Sequence, residues 1–152
     1  MTASDSLVLR LQEEMKQALK AKDELRLSTI RLLRSSVSYA QIDKGRELTD
    51  DEVVEVIARE AKKRRETIEL AERGGRPEIA EKEKAELAIL SEYLPEQLSE
   101  AEIETIARQI VAEAGAVDVK DRGKVMGPLM SRVRGRADGK LVSQVVDRIL
   151  RG

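Results

Sequence analysis

Apolar residues recur through most of this chain at the three- and four-residue spacing of α-helices, and the segments with that spacing begin at helix caps. Thr49 with Glu52, and Ser99 with Glu102, have the pattern of a capping box, in which two residues satisfy each other's backbone amides at a helix start. Pro95 lies between them and cannot continue a helix, because its nitrogen carries no hydrogen. The pattern predicts a series of separately capped helices and no strands.

The predicted helices run from about Ser6 to Lys22, Asp23 to Ile42, Thr49 to Gly74, Pro77 to Pro95 and Ser99 to Gly115, with a sixth capped by Asp118 and a seventh by Asp138. Pro128 lies inside the sixth helix, so we expect a kink or break near Gly127. Because only 1% of the residues are aromatic, the core must consist of Leu, Ile, Val, Ala and Met, which favours helices. The predicted fold class is all-α and multihelical.

Two helical domains are predicted, with the boundary at Pro95. Residues 1–95 form an N-terminal helical bundle, and residues 96–152 form a smaller C-terminal domain of three helices. Histidine and cysteine are both absent, which excludes imidazole bases, thiolate nucleophiles and most transition-metal sites. We therefore expect no catalytic residues, no metal and no cofactor. No apolar run approaches the roughly 20 residues of a membrane span, so the expectation is a cytoplasmic protein without membrane contact.

The C-terminal part of the chain is cationic. From Gly115 onward there are nine basic and four acidic residues, although the whole chain has a net charge of −1. Several of the basic residues lie in or beside the connection between the last two helices, where they can contact phosphates. The predicted nucleic-acid-binding residues are Lys124, Arg132, Arg134, Arg136 and Lys140.

The same connection contains residues that give it a defined structure. Gly135 and Gly139 permit backbone conformations that a side chain would disfavour, and Asp138 can cap the following helix. The alternative interpretation is an ordinary solvated surface. A second basic run, Lys62–Arg65, is interpreted as such a surface, because Glu60 and Glu69 lie four residues from Arg64 and Arg65 along the same helix.

Several segments resemble the GatB/YqeY domain family, which includes free-standing YqeY-like proteins and the C-terminal domain of the B subunit of tRNA-dependent amidotransferases. GKVMG, LM and GRADGKLV occur in that order and spacing between residues 123 and 142. The other segments are RLSTIRLL (26–33), IDKGRELTDDEV (42–53), KKRRETIE (62–69) and EIAEKEKAELAILSEYLPEQLSEAEI (78–103). The resemblance thus extends over essentially the whole chain.

The resemblance implies a tRNA-binding accessory module, with tRNA as a partner and an amidotransferase or aminoacyl-tRNA synthetase as a further one. The family is associated with carbon–nitrogen ligase activity that uses glutamine as the amide donor. This chain lacks the groups for that chemistry, so we expect no activity from it alone. With almost no aromatic residues, RNA contacts should depend on backbone and shape. The alternative is a protein-interaction module that docks on the translation or amidation machinery without binding RNA.

Overall fold

The computed structural model of the protein describes residues 6–152, and all regular structure within that range is helical. The helices are α1 (Leu7–Ala21), α2 (Glu24–Lys44), α3 (Asp50–Arg73), α4 (Pro77–Ser91), α5 (Glu100–Ala114), a short 3₁₀ helix (Val119–Asp121), α6 (Arg122–Val133) and α7 (Gly139–Arg151). The predicted all-α fold is confirmed.

The chain divides into two compact units, which we call unit 1 (Met1–Leu94) and unit 2 (Pro95–Gly152). Unit 1 contains α1 to α4, and unit 2 contains α5 to α7. Whether they fold as the independent domains inferred for residues 1–95 and 96–152 stays a prediction.

Several helices begin at the caps that were expected. The Asp23 side chain accepts from the backbone amide of Arg26 at 3.1 Å and caps α2. Both capping boxes are complete, so α3 begins after Thr49 and α5 begins after Ser99. These bonds satisfy backbone donors that the first turn of a helix leaves without a partner.

In unit 1, α1 packs against α2, and α3 packs along α4, with further contacts from α2 to both α3 and α4. The fully buried core side chains include Leu11, Ile30, Leu33, Val53, Ile57 and Leu90. Burying the apolar stripes of four helices against one another removes them from water, which is the main stabilising term for such a bundle.

The basic run in α3 differs from the prediction at Arg64. Its Nε lies 2.8 Å from Glu86 and 3.3 Å from Glu83, both on α4, while Glu60 pairs with Lys63 at 3.5 Å. The predicted pairing of Glu60 with Arg64 along one helix is therefore wrong. The reason is packing: the Arg64 side chain is only 13% exposed and points toward α4, which supplies the two carboxylates.

In unit 2, all three helices pack against one another. The buried residues are Ile103, Ala107 and Ile110 from α5, Val125, Leu129 and Val133 from α6, and Val142, Val145, Val146 and Leu150 from α7. This apolar core consists of aliphatic side chains, so it positions the connection between α6 and α7 without any aromatic residue.

The predicted break near Gly127 is wrong, because α6 runs through Pro128 as one α-helix from Arg122 to Val133. The residue before a proline is normally pushed out of the helical region by a clash with its Cβ. Gly127 occupies that position and has no Cβ, and Val125 and Leu129 anchor both sides of Pro128 in the core. The carbonyl left without a helical partner belongs to the exposed Lys124, where water can reach it.

Two predicted helix boundaries also change. Asp118 caps the 3₁₀ helix through the backbone amide of Lys120, and α6 begins only at Arg122. The fourth helix ends at Ser91 rather than at Pro95. There the amide of Tyr93 bonds to the carbonyl of Leu90, three residues back, which tightens the chain into a turn and buries the tyrosine.

Candidate nucleic-acid interface

The connection between α6 and α7 begins with a tight turn. Arg134 has φ −52° and ψ 125°, Gly135 has φ 74°, and the amide of Arg136 donates to the carbonyl of Val133 at 2.8 Å. These values match a type II turn, which requires a positive φ at its third residue and therefore favours glycine there. The predicted role of Gly135 is confirmed.

The segment before α5 holds this turn in place. The amide of Leu98 donates to the carbonyl of Arg136 at 2.8 Å. The side-chain nitrogen of Gln97 donates to the carbonyls of Gly135 and Pro95, each at 2.8 Å. Sequence reasoning missed Gln97 and Leu98, because bonds to partners 38 positions away leave no local pattern.

The start of α7 confirms one prediction and corrects another. Asp138 is the N-cap of α7, and its side chain accepts from the amide of Lys140 at 3.4 Å. Gly139, in contrast, is the first residue of α7 and does not have a positive φ. A Cβ at Gly139 would lie 3.7 Å from the Met130 side chain, which is an ordinary contact. The prediction of a special backbone conformation at Gly139 is therefore wrong.

The five predicted basic residues differ in their environments. Arg132, Arg134 and Lys140 are exposed, and Arg136 is half-buried. Within residues 6–152, the side chains of Arg132, Arg136 and Lys140 form no ion pair. Lys124 is also exposed, but it lies 3.3 Å from Asp121 on the adjoining turn, so a neighbouring carboxylate partly balances its charge.

Asp121 stays ionised beside Lys124 for a structural reason. Its carboxylate accepts from the backbone amide of Val117 at 2.9 Å, and this bond, with help from Lys124, lowers the pKa of Asp121. The pair lies at the beginning of α6, while Arg132 and Arg134 lie at its end. Cations at a helix C-terminus interact favourably with the helix dipole. Lys124, at the beginning of α6, thus has a carboxylate beside it, whereas Arg132, at the end that leads into the connection, forms no ion pair in the described range.

Several other cations of unit 2 are engaged in ion pairs. Arg122 lies 2.8 Å from Asp147 and also donates to the hydroxyl of Ser143, which links α6 to α7. Arg148 pairs with Glu100 at 2.7 Å, and this hydrogen bond raises the pKa of the guanidinium. These arginines hold helices together. Residues 132–140, which we call the basic connection, include three cations that form no ion pair in the described range, namely Arg132, Arg136 and Lys140, and these are available to an anionic partner.

The described part of the chain presents no metal cluster and no membrane-spanning helix. No group of three or more acidic, histidine or cysteine side chains among residues 6–152 has a geometry suited to a metal ion. None of the helices in the same range combines the length and apolar character needed to cross a bilayer.

A family model described as Yqey-like protein matches residues 8–150. A relative from Pyrenophora tritici-repentis, named "Altered inheritance of mitochondria protein 41, mitochondrial", is 28% identical over 98% of this chain and 83% of its own length. A protein of the same name from Lachancea thermotolerans is 31% identical over 70% of this chain and 58% of its own length. The E subunit of a glutamyl-tRNA(Gln) amidotransferase from Thermococcus sibiricus is 44% identical over 42% of this chain, which corresponds to 11% of its own length.

These similarities confirm one expectation and correct another. The similarity to the Thermococcus protein confirms the expected relation to a tRNA-dependent amidotransferase, for the part of the chain that it covers. The expected cytoplasmic location is contradicted, because four of the relatives, including the two described above, are named as mitochondrial proteins.

Proposed function

This chain belongs to the family of Yqey-like proteins, and we propose that it is an accessory module that binds folded tRNA through the basic connection. The observation that supports the proposal best is the combination of fixed backbone and unpaired charge. The Gly135 turn and the bonds from Gln97 and Leu98 hold the backbone, while Arg132, Arg136 and Lys140 have no carboxylate partner among the described residues.

The ordered backbone of the basic connection favours phosphate binding for an energetic reason. Ordering a mobile loop during binding subtracts from the affinity, whereas a loop that is already ordered loses little conformational entropy. Arginine can also donate two parallel hydrogen bonds to one phosphate. Both features favour contacts that fix the orientation of an RNA backbone without reading its sequence.

The choice of tRNA as the RNA rests on the relation to the Thermococcus amidotransferase, whose name includes a glutamyl-tRNA substrate. The basic connection itself contains no aromatic residue, so it offers no aromatic ring on which unpaired bases could stack. The basic residues can instead contact the phosphates of a folded duplex region, and a tRNA contains such regions. The basic connection would therefore recognise backbone and shape.

In this proposal the chain assists an enzyme and performs no chemistry by itself. The carbon–nitrogen ligase activity associated with the family, with glutamine as the amide donor, would belong to an amidotransferase partner. An aminoacyl-tRNA synthetase is a second partner that would place tRNA near the chain. Without Cys or His, the chain lacks the usual nucleophiles and bases of a glutamine-dependent reaction.

The test compares two variants of the full chain in which equal positive charge is removed. One carries Arg132→Gln, Arg136→Gln and Lys140→Gln. The control carries Lys16→Gln, Lys62→Gln and Lys82→Gln, which remove lysines of unit 1 that have no ion pair within residues 6–152. Binding of fluorescently labelled folded tRNA is measured by anisotropy over a range of salt concentrations.

The first variant should bind more weakly, and the slope of log affinity against log salt should fall by about 0.9 for each phosphate interaction removed on duplex-like RNA. The control should keep the wild-type slope. Equal effects in both variants would indicate non-specific attraction. Unchanged tRNA binding by the first variant would reject the basic connection as the RNA site and favour the alternative, a module that docks on proteins.

A further inference from the structure

A second cationic surface lies on unit 1. A groove of about 640 Å³ runs along the outer face of α2, with Met15 of α1 forming part of its wall. The residues that α2 contributes include Arg31, Arg34, Ser35, Ser38 and Tyr39. Nothing in the proposed tRNA-binding function uses this groove.

None of the described residues that line the groove is acidic. No Asp or Glu occurs between Glu24 and Asp43, although 38% of the residues in the chain are charged. Neither Arg31 nor Arg34 forms an ion pair with any residue of the described range 6–152. In the same unit, glutamate partners are found for Arg10, Arg26, Arg46, Arg64 and Arg73. An anion entering the groove would therefore meet two arginines, and no carboxylate among the described lining residues would compete with it.

Two hydroxyl groups in the groove are also available. Within residues 6–152, the side chains of Ser35 and Ser38 form no hydrogen bond. Ser28 and Thr29, earlier on α2, both donate to the carbonyl of Leu25 instead. Ser35 and Ser38 lie between the arginines and Tyr39 along the helix, so their hydroxyls can donate to an anion that the arginines attract.

An aromatic ring also lines the groove. Tyr39 is 71% exposed, whereas Tyr93, the other tyrosine of the chain, is 4% exposed and part of the core. An exposed tyrosine presents a flat ring on which a planar base can stack. The groove thus combines two arginines, two hydroxyls and one stacking surface along one helix.

We propose that this groove binds a nucleotide, with its phosphate held by Arg31, Arg34 and the serine hydroxyls and its base stacked on Tyr39. Arginine and serine are common donors to phosphate oxygens, and base stacking on an aromatic ring tolerates any base. The nucleotide is either a free molecule or an unpaired residue of an RNA strand, since both present the same phosphate and base. The groove belongs to unit 1, whereas the basic connection belongs to unit 2.

The experiment uses a labelled oligouridylate of about eight nucleotides, a length within the range that one single-strand binding site covers. The full chain carries Arg132→Gln, Arg136→Gln and Lys140→Gln as background, so the basic connection contributes little to the signal. Into this background we would introduce Tyr39→Ala, Tyr39→Phe, or the pair Arg31→Gln and Arg34→Gln. The pair Lys62→Gln and Lys82→Gln, cations of unit 1 outside the groove, is the charge control.

Tyr39→Ala should weaken binding by roughly 5- to 100-fold, since the stacking of one base is removed, and Tyr39→Phe should bind within about twofold of the background. The arginine pair should lower the salt slope by about 0.7 for each phosphate interaction on a single strand. Competition with uridine monophosphate identifies the source: equal potency per nucleotide indicates a free nucleotide, and much weaker competition indicates a strand.

Two results would overturn the proposal. One is binding by the Tyr39→Ala and arginine variants that equals binding by the background. The other is displacement by inorganic phosphate at the same concentration as uridine monophosphate, because the base would then contribute nothing. Tyr39 and Arg31 are exposed residues of α2, so circular dichroism should show all variants folded. Neither result bears on the basic connection, which is tested separately with folded tRNA.

Discussion

The side-chain nitrogen of Gln97 lies 2.8 Å from the carbonyl oxygen of Gly135 and 2.8 Å from that of Pro95. One amide group therefore joins the segment that leads into α5 to the turn that follows α6. The backbone bond from Leu98 to Arg136 lies next to it and has the same effect. The position of the basic connection thus depends on a residue that carries no charge.

Replacing Gln97 by Met should loosen the connection while leaving its charges in place. Because Gln97 is exposed and the bond is a neutral one, unfolding stability should fall by no more than about 1.5 kcal/mol. Trypsin should cut faster after Arg134 and Arg136. tRNA affinity should fall, but the salt slope should stay as in the wild type, since no phosphate interaction is removed. A change in slope would show that Gln97 itself contacts the RNA.

Replacing Gly135 by Ala should destabilise unit 2, because Ala would have to adopt the φ of 74° that the turn imposes. The expected cost is about 1–2 kcal/mol, measured by urea unfolding. Gly123→Ala is the matched control: Gly123 lies in α6, and an added Cβ meets no atom within 4 Å. That change should be neutral or stabilise by up to about 1 kcal/mol. Equal losses in both variants would contradict the turn assignment.

Replacing Arg64 by Met should destabilise unit 1 by about 1–3 kcal/mol, because Glu83 and Glu86 would remain close together without their counter-ion. Arg73→Met on the same helix removes an ion pair with Glu69, but the Arg73 side chain is 72% exposed. The loss there should be about 0.5 kcal/mol or less. Urea unfolding of both variants at neutral pH measures the difference, and similar losses would argue against a special role for Arg64.

The pH dependence of stability should be reduced by Glu52→Gln. Hydrogen bonds from Arg46 and Lys44, with one from the amide of Thr49, hold the pKa of Glu52 well below its usual range. Such a group contributes stability above its unfolded pKa of about 4.3, and this stability is lost as the pH falls through the folded pKa. Urea midpoints measured from neutral pH down into the acid range should therefore fall less steeply in the variant.

Glu102→Gln is the matched control for that measurement. Glu102 occupies the same position in the second capping box, but its carboxylate accepts only from Ser99 and has no arginine or lysine partner in the described part of the chain. Its replacement should change the acid limb of the stability curve less. A larger effect from Glu102 than from Glu52 would contradict the assignment.

The helices themselves were predictable because their signals are local. Asp23, the Thr49–Glu52 and Ser99–Glu102 boxes, and Asp138 all form the caps that a few consecutive residues indicate. The positive φ of Gly135 was predictable for the same reason. Pro128 was misjudged, because the cost of a proline in a helix depends on the residue before it and on the packing that holds both sides.

The sequence by itself determined the helical class, most of the caps and the cationic character of the connection, since each depends on neighbouring residues. Only the tertiary structure decided that Arg64 pairs with α4, that Gln97 holds the Gly135 turn, and that Met15 of α1 meets Arg34 of α2 in one groove. These relationships depend on how separate segments pack side by side. Packing brings together residues that are far apart in the chain, so these contacts cannot be predicted from a local repeating pattern.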